Sequence, residues 1–144
     1  VYEQLEGLAR AKSIQLEPVE IQDVAVQADP LWIRQIMVNL VSNAIKYTPS
    51  EGRVEIKLTL QKHDESGITE AVFAVTDNGP GIAAEHLPHL FDRFYRVDSG
   101  RSRDAGGVGL GLNIAQWAAE SHGGRIEVES EVGTGTIFRL VLPI

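Results

Sequence analysis

The sequence predicts one α/β domain in which helices pack on one face of an antiparallel or mixed sheet. Two segments carry this expectation: residues 53–61 alternate apolar and polar side chains, and residues 30–47 repeat apolar side chains every three or four positions. The first pattern is typical of a strand buried on one face, and the second of a helix with one buried face. A length of 144 residues fits a single domain.

The elements are expected in a definite order along the chain. Helices are expected at 1–12, 30–47, near 83–86 and at 112–122, and extended segments at 14–19, 24–27, 53–61, 71–76, 125–130 and 136–142. Asp29 and Pro30 form a strong helix start, since Asp is a favoured N-cap and Pro a favoured first residue. Gly123 and Gly124 end the last helix, with Ile114, Trp117, Ala118 and Ser121 forming its stripe.

The composition narrows the classes of function. A net charge of −7 disfavours a nucleic-acid surface, and the absence of cysteine excludes disulfides and zinc–thiolate sites. No apolar run approaches the ~20 residues that cross a membrane. We therefore expect no contact with nucleic acid or membrane. An acidic domain can still bind a nucleotide where cations and a metal ion are placed locally.

The helix expected at 30–47 has an unusual polar side. Its apolar stripe consists of Ile33, Ile36, Met37, Leu40, Val41 and Ala44. Its other face, at spacings of three and four, carries Gln35, Asn39, Ser42, Asn43 and Lys46. Such a face is usually only solvated, but amide oxygens and a cation together also suit a metal ion and phosphates.

Two glycine-rich turns accompany this helix. In "TDNGPGI" (76–82), Asp77 ends a strand, and Gly79 and Gly81 let the backbone turn closely around it. A hairpin turn is the alternative, but a long segment, 77–111, follows instead of a strand. A carboxylate only accepts hydrogen bonds, so Asp77 suits the amino group of adenine and disfavours the carbonyl of guanine.

The second turn, "GGVGLGLN" (106–113), opens a helix and matches neither common phosphate-binding fingerprint. Gly106 and Gly111 have the glycine spacing of a P-loop, but they are followed by Leu112 and Asn113, where a P-loop has Lys and then Ser or Thr. If this loop binds a phosphate, the cation and the metal ligand must come from elsewhere in the chain.

Five motifs in order identify the family that this chain resembles: "NLVSNAIKYT" (39–48), "DNGPGI" (77–82), "FDRFYRVD" (91–98), "GGVGLGLNIA" (106–115) and "GTGTIF" (133–138). They resemble the N, G1, F, G2 and G3 boxes of the catalytic ATP-binding domain of bacterial sensor histidine kinases. The resemblance implies the α/β two-layer sandwich of the gyrase, heat-shock chaperone and mismatch-repair ATPases. It therefore implies a mixed, mostly antiparallel sheet with helices on one face and a long ATP lid at about 92–111.

The resemblance also assigns roles to residues. Asn43 would ligate Mg²⁺ beside Asn39, Lys46 would reach the phosphates, and Arg96 would touch the γ-phosphate, so that Asn43, Lys46 and Arg96 are the expected catalytic residues. Arg101 and Arg103 are either phosphate contacts or solvated. The implied ATP-binding set is Asn39, Asn43, Lys46, Tyr47, Asp77, Gly79, Gly81, Ile82, Tyr95, Arg96, Gly107, Val108, Gly109, Leu110, Gly111, Leu112 and Thr136.

The four histidines bear on whether this chain could phosphorylate itself. In the family the phosphoryl group goes to a histidine on a separate dimerisation domain, and His63, His86, His89 and His122 are better explained as surface or capping residues. We therefore expect 1–12 to be a remnant of the connecting helix and 13–144 to be the catalytic domain. The fragment is expected to be monomeric and cytoplasmic. The full-length protein is expected to be a homodimer, with or without a membrane anchor, whose partner is a response-regulator receiver domain.

One further expectation concerns the reaction, and two alternative functions remain. The gyrase-like ATPases carry a Glu where this chain has Asn39, and an amide cannot take a proton from water, so intrinsic hydrolysis should be slow. The alternatives to a histidine kinase are an anti-sigma-type serine kinase and a nucleotide-binding regulatory module of the same fold.

Overall fold

The computed structural model describes residues 2–62, 65–91 and 108–144, with the backbone alone described for 2–4 and 108–111. The helices are α1 (Tyr2–Ala11), α2 (Pro30–Tyr47), a 3-10 turn (Leu87–His89) and α3 (Val108–Ser121). The strands are β1 (Gln15–Ile21), β2 (Arg53–Lys62), β3 (Thr69–Asp77), β4 (Arg125–Glu131) and β5 (Gly135–Pro143).

The five strands form one sheet in the order β1-β2-β3-β5-β4. β1 pairs parallel with β2, and all other neighbours are antiparallel. The helices contact one face of this sheet, and α2 also packs against α1 and α3. The expected two-layer architecture with a mixed, mostly antiparallel sheet is confirmed.

Helix α2 lies at the centre of the domain. Its expected apolar stripe faces the core, where Ile36, Leu40 and Val41 are fully buried. The Asp29 side chain caps its N-terminus by accepting a hydrogen bond from the backbone N–H of Leu31 at 2.9 Å. These features confirm the helix and define its start, so its polar residues are held at defined positions beside the sheet.

Helix α3 differs from the expectation in its start and in its buried face. It begins at Val108, four residues before the expected start, because Gly109 and Gly111 adopt helical backbone despite their low helix propensity. Its buried side chains are Leu112, Ala115, Ala118 and Ala119, whereas Ile114 and Trp117 are 42% and 58% exposed. Small alanines let the helix approach the core closely.

Trp117 packs instead on the outer side of the helical layer. Its ring meets that of Trp32 on α2 edge to face, with the centroids 5.4 Å apart. The stripe expected from large apolar side chains was therefore wrong in its orientation.

Two smaller elements also differ. Residues 24–27 form no strand, and the helix expected near 83–86 is a turn followed by the 3-10 segment Leu87–His89, in which Pro88 occupies a first-turn position. Both segments cross the surface between larger elements, so these changes leave the core intact.

The sheet face turned away from the helices carries charged side chains. Arg53 pairs with Glu55 at 3.4 Å, and Arg139 pairs with Glu129 at 2.9 Å. A groove of about 470 Å³ runs from this face, where Arg53, Glu55 and Ile137 line it, to the rim of the sheet, where its lining includes Asp77, Ser130 and Thr136. In the part of the chain that the structure describes, no helix covers this face.

Candidate functional site

One row of residues across the helix-facing side of the sheet is polar on β3, β5 and β4, where the next row inward is apolar. Strand register places Leu16, Val54, Asp77, Thr136 and Ser130 side by side on β1, β2, β3, β5 and β4. The next row inward is entirely apolar and consists of Ile56, Val75, Phe138 and Val128. The change from apolar to polar at the sheet's rim marks the candidate site.

Asp77 is the charged member of this row. Only 8% of it is exposed, and one carboxylate oxygen accepts a hydrogen bond from the backbone N–H of Gly79 at 2.9 Å. Burial raises the pKa of Asp77, while backbone hydrogen bonds from Gly79 and Thr136 act in the opposite direction. No ion pair to Asp77 is found within 2–62, 65–91 and 108–144. A buried carboxylate without a cation is costly for the fold, which is typical of a binding group.

Close backbone approaches around Asp77 require glycine. Gly135 has φ +141°, and a Cβ there would overlap the carbonyl oxygen of Asp77. A Cβ at Gly79 would lie 3.0 Å from both the Asp77 carboxylate and the carbonyl oxygen of Tyr47. The turn after β3 therefore brings the buried carboxylate against the C-terminal end of α2.

Gly81 allows a close backbone approach on the other side of the same turn. It has φ +79°, and a Cβ there would overlap the backbone of Glu131 on β4. Ile82, which follows it, is held by its backbone N–H, which donates to the Ser130 hydroxyl at 2.7 Å. The glycine turn is thus tied to β4 as well as to α2.

Ser130 is a member of this site that the sequence reasoning missed. Its hydroxyl also lies 3.0 Å from the carbonyl oxygen of Gly135 and 2.7 Å from the Thr136 hydroxyl, and Thr136 itself is 5% exposed. A signal was present in the sequence: the alternation of Ile126 and Val128 continues to position 130, where a polar residue replaces an apolar one. We read that segment only as a closing strand.

The polar side of α2 is less exposed than its spacing suggests. Asn43 is 7% exposed, and its amide nitrogen has no hydrogen-bond partner in the described ranges 2–62, 65–91 and 108–144. Asn39 is partly buried and accepts from the Gln35 side chain at 3.3 Å. Lys46 is exposed and Tyr47 is 42% exposed. A buried amide with an unused nitrogen is a polar group without its full set of partners.

The remaining expected site residues fall into two groups. Tyr95, Arg96, Arg101, Arg103 and Gly107, with most of the expected lid, lie outside the described residues. Val108, Gly109, Leu110 and Gly111 form the first turn of α3, whose N–H groups have no partner within the helix. Leu112 follows them, and its side chain is buried in the core, so it offers a ligand only its backbone.

The described histidines have structural environments. His122 Nδ1 lies 2.7 Å from the carbonyl oxygen of Ala118, and its Nε2 accepts from the backbone N–H of Asp29 at 3.1 Å. This arrangement caps α3 and ties it to the start of α2, as expected. His86 lies 3.7 Å from Glu85, and His89 is on the surface; His63 lies outside the described residues.

Comparison with known proteins identifies the family. Residues 28–144 match the family described as histidine kinase-, DNA gyrase B- and HSP90-like ATPases. A sensor histidine kinase, RppB of Synechocystis sp., is 46% identical over 110 residues, which are 76% of this chain and 23% of that protein. The chain thus spans about a quarter of this curated relative.

Solved structures agree with the fold. The mycobacterial sensor histidine kinase MprB is 31% identical with a TM-score of 0.79, covering 99% of this chain and 91% of that one. Full-length ShkA in complex with AMPPNP is 29% identical with a TM-score of 0.79, covering 98% of this chain and 28% of that one. No helix in the described ranges is long and apolar enough to cross a membrane. The chain belongs to the family of histidine kinase-, DNA gyrase B- and HSP90-like ATPases.

Proposed function

We propose that this chain is the catalytic domain of a two-component sensor histidine kinase, which binds Mg-ATP and donates its γ-phosphate to a histidine on a dimerisation domain. The observation that carries the proposal is the buried Asp77 at the rim of the sheet, which Gly79 holds against the end of α2 and which has no ion pair to any of the described residues. A nucleotide-binding site in this family also agrees with the AMPPNP complex of the similar protein ShkA.

The adenine end of the proposed site is built around Asp77. Its carboxylate accepts hydrogen bonds only, and it lies beside the buried Thr136 in the same row. The amino group of adenine would donate to this carboxylate, whereas the carbonyl of guanine would meet it lone pair to lone pair. Ile82 and Tyr47 would contact the nucleoside, and Gly79 and Gly81 would let the backbone pass close to it.

The phosphate end combines α2 with the start of α3. Asn43 fits a magnesium site, because its side chain is buried on the polar side of α2 and an amide oxygen is a suitable ligand for a hard cation. Its amide nitrogen, which has no partner among the described residues, would be a donor to a phosphate oxygen. Mg²⁺ would supply neutralisation of phosphate charge there. Asn39 and Lys46 lie one turn away on either side, and Lys46 would contact the phosphates. Backbone N–H groups of α3's first turn, from Val108 onward, would add donors at a helix N-terminus.

In this reaction the domain would mainly position the reacting groups, and its own side chains would form no covalent bond. An imidazole nitrogen of the acceptor histidine forms a bond to the γ-phosphorus, while the bond from that phosphorus to the β–γ bridging oxygen breaks and ADP leaves. Lys46, and Arg96 beyond the described residues, would stabilise the negative charge that spreads over the transferring group.

Slow hydrolysis of ATP follows from the same residues. Asn39 would stand where a general base would be needed to activate water, and an amide cannot accept that proton. The bound ATP would therefore remain intact until its γ-phosphate is transferred to the acceptor histidine.

The proposal also covers the domains to which this one would be linked and with which it would react. Residues 1–12 would link 13–144 to the dimerisation and phosphoacceptor domain, and a response-regulator receiver domain would take the phosphate next. The chain alone would be monomeric, the whole protein a homodimer, and the domain cytoplasmic. On α1, Leu5 and Ala9 are buried in the core, so a movement of this helix would reach the catalytic domain.

The proposal is tested by supplying the missing acceptor. The chain is mixed with a separately produced dimerisation domain from a similar sensor kinase and with γ-labelled ATP and Mg²⁺. We expect an acid-labile, base-stable phosphohistidine on the dimerisation domain and none on this chain. The matched control uses a dimerisation domain whose acceptor histidine is replaced by Ala, which should remain unlabelled.

Two results would overturn the proposal. Acid-stable label on a serine of an added partner would favour an anti-sigma-type serine kinase. Tight ATP binding without transfer to any acceptor domain would favour a regulatory nucleotide-binding module.

A further inference from the structure

Among the residues that the structure describes, the Ser130 hydroxyl has three hydrogen-bonding neighbours, and their donors and acceptors can be assigned. The Ile82 N–H at 2.7 Å can only donate, and the Gly135 carbonyl at 3.0 Å can only accept. The third neighbour, the Thr136 hydroxyl at 2.7 Å, could do either. A serine hydroxyl has one hydrogen and two lone pairs.

Only one assignment makes all three contacts hydrogen bonds. Ser130 accepts from Ile82 and must give its single hydrogen to Gly135, because a carbonyl has none to give. Thr136 must therefore donate to Ser130, which fills the second lone pair of Ser130. The buried hydroxyl of Thr136 then has only lone pairs left for any other partner.

This assignment changes what the rim of the sheet presents to a ligand. Asp77 and Thr136 are register partners on β3 and β5, so the two side chains lie side by side on the helix-facing surface. With the Thr136 hydrogen directed to Ser130, both neighbours are acceptors. A base edge placed against them has to bring hydrogens, as an exocyclic amino group does and a carbonyl does not.

We propose that Ser130 is a positioning residue that sets the direction of the Thr136 O–H and thereby makes the base end of the site selective for an amino-bearing purine. The inference rests on the proposed nucleotide site. Ser130 does not have to touch the nucleotide for this role. Through Ile82 it also holds the glycine turn, but that function alone would strengthen the binding of all nucleotides equally.

The two roles can be separated by comparing ATP and GTP. In Ser130→Ala the Thr136 hydrogen is released and can turn toward the ligand, where it can donate to a carbonyl. We expect ATP binding to weaken about tenfold and GTP binding to change much less, so that the ratio of the two affinities falls about tenfold. Ser130→Thr keeps the hydroxyl and should restore the ratio to within about threefold of the unsubstituted chain.

The experiment measures dissociation constants for Mg-ATP and Mg-GTP by calorimetric titration of the 144-residue chain and its variants. Ser121→Ala is the matched control, since Ser121 is exposed on α3 and its hydroxyl donates to the Trp117 carbonyl at 2.9 Å, away from the candidate site. Thr136→Val tests the path of the effect, because in that background Ser130→Ala should no longer change the ratio.

Each outcome decides the question. Equal weakening of ATP and GTP in Ser130→Ala, or a change of ratio that persists in the Thr136→Val background, overturns the role of Ser130 and leaves the nucleotide site standing. Absence of saturable ATP binding to the unsubstituted chain overturns the proposed site and this inference together.

Discussion

Replacing Asp77 by Asn should weaken ATP binding and at the same time stabilise the empty domain. The side chains have the same shape, and the amide oxygen can still accept from the Gly79 N–H at 2.9 Å. The substitution removes the negative charge and converts one acceptor into a donor. The lost interaction is a hydrogen bond to a charged group, worth about 1.5–3 kcal/mol. ATP affinity should therefore fall by roughly 10- to 150-fold.

The stability effect follows from the direction of the pKa shift. Burial raises the pKa of Asp77 above its ordinary value of 3.8, so the folded state holds this proton more tightly than the unfolded state does. The free energy of unfolding then falls as pH rises from below 3.8 through the folded-state pKa, and the loss is complete above it. Asp77→Asn lacks this titration, so its melting temperature should exceed that of the unsubstituted chain at neutral pH and approach it in acid.

Calorimetric titration with ATP and GTP, together with thermal melts across pH, checks both effects. Asp29→Asn is the matched control, since Asp29 is an exposed N-cap of α2 and Asn caps a helix equally well. A gain in relative GTP affinity is also expected, because the new amide N–H₂ can donate to a carbonyl. ATP affinity within threefold of the unsubstituted chain, with no change in nucleotide preference, would refute the role given to Asp77.

Four other substitutions test the metal ligand, two glycine positions and the core. Asn43→Ala should abolish the difference between ATP affinities measured with Mg²⁺ and with EDTA; a difference that persists would exclude Asn43 as the metal ligand. Gly135→Ala should cost about 1–3 kcal/mol or more in urea unfolding, because the backbone has φ +141° and meets Asp77. Gly7→Ala, in open space on α1, should instead gain about 0.5–1 kcal/mol, and equal effects at the two glycines would contradict this. Ile36→Ala should cost about 2–5 kcal/mol with unchanged ATP affinity in the folded protein, since Ile36 is fully buried; a loss below 1 kcal/mol would show that the core relaxes around it.

The sequence predicted most of the fold because local patterns and global packing agree. The alternation in β2 places Val54 and Ile56 in the core, and the Asp29–Pro30 pair marks the start of α2 where the structure has it. The orientation of α3 was not predictable in this way. Trp117 is more apolar than Ala119, but the contact between packed helices favours small side chains, and that contact depends on elements far apart in the chain.

The residues of the candidate site also differ in whether a local sequence signal or long-range packing reveals them. Asp77 could be singled out because a carboxylate after a strand, followed by glycines, is a local signal. The burial of Asn43 depends on how α2 meets the rest of the domain, and its helical spacing suggested only a shared polar face. The Ser130 contact with Ile82 joins residues 48 positions apart, and the packing of the glycine turn against β4 brings them together. Long-range polar contacts of this kind leave almost no mark on a single sequence.

A crystal structure of this chain with a non-hydrolysable ATP analogue and Mg²⁺ tests the central claim most directly. The account predicts the adenine amino nitrogen at about 3 Å from the Asp77 carboxylate, and the metal ion on the Asn43 amide oxygen. A nucleotide bound against Arg53, Glu55 and Ile137 on the opposite face of the sheet, or an adenine whose amino group contacts neither Asp77 nor Thr136, would contradict it.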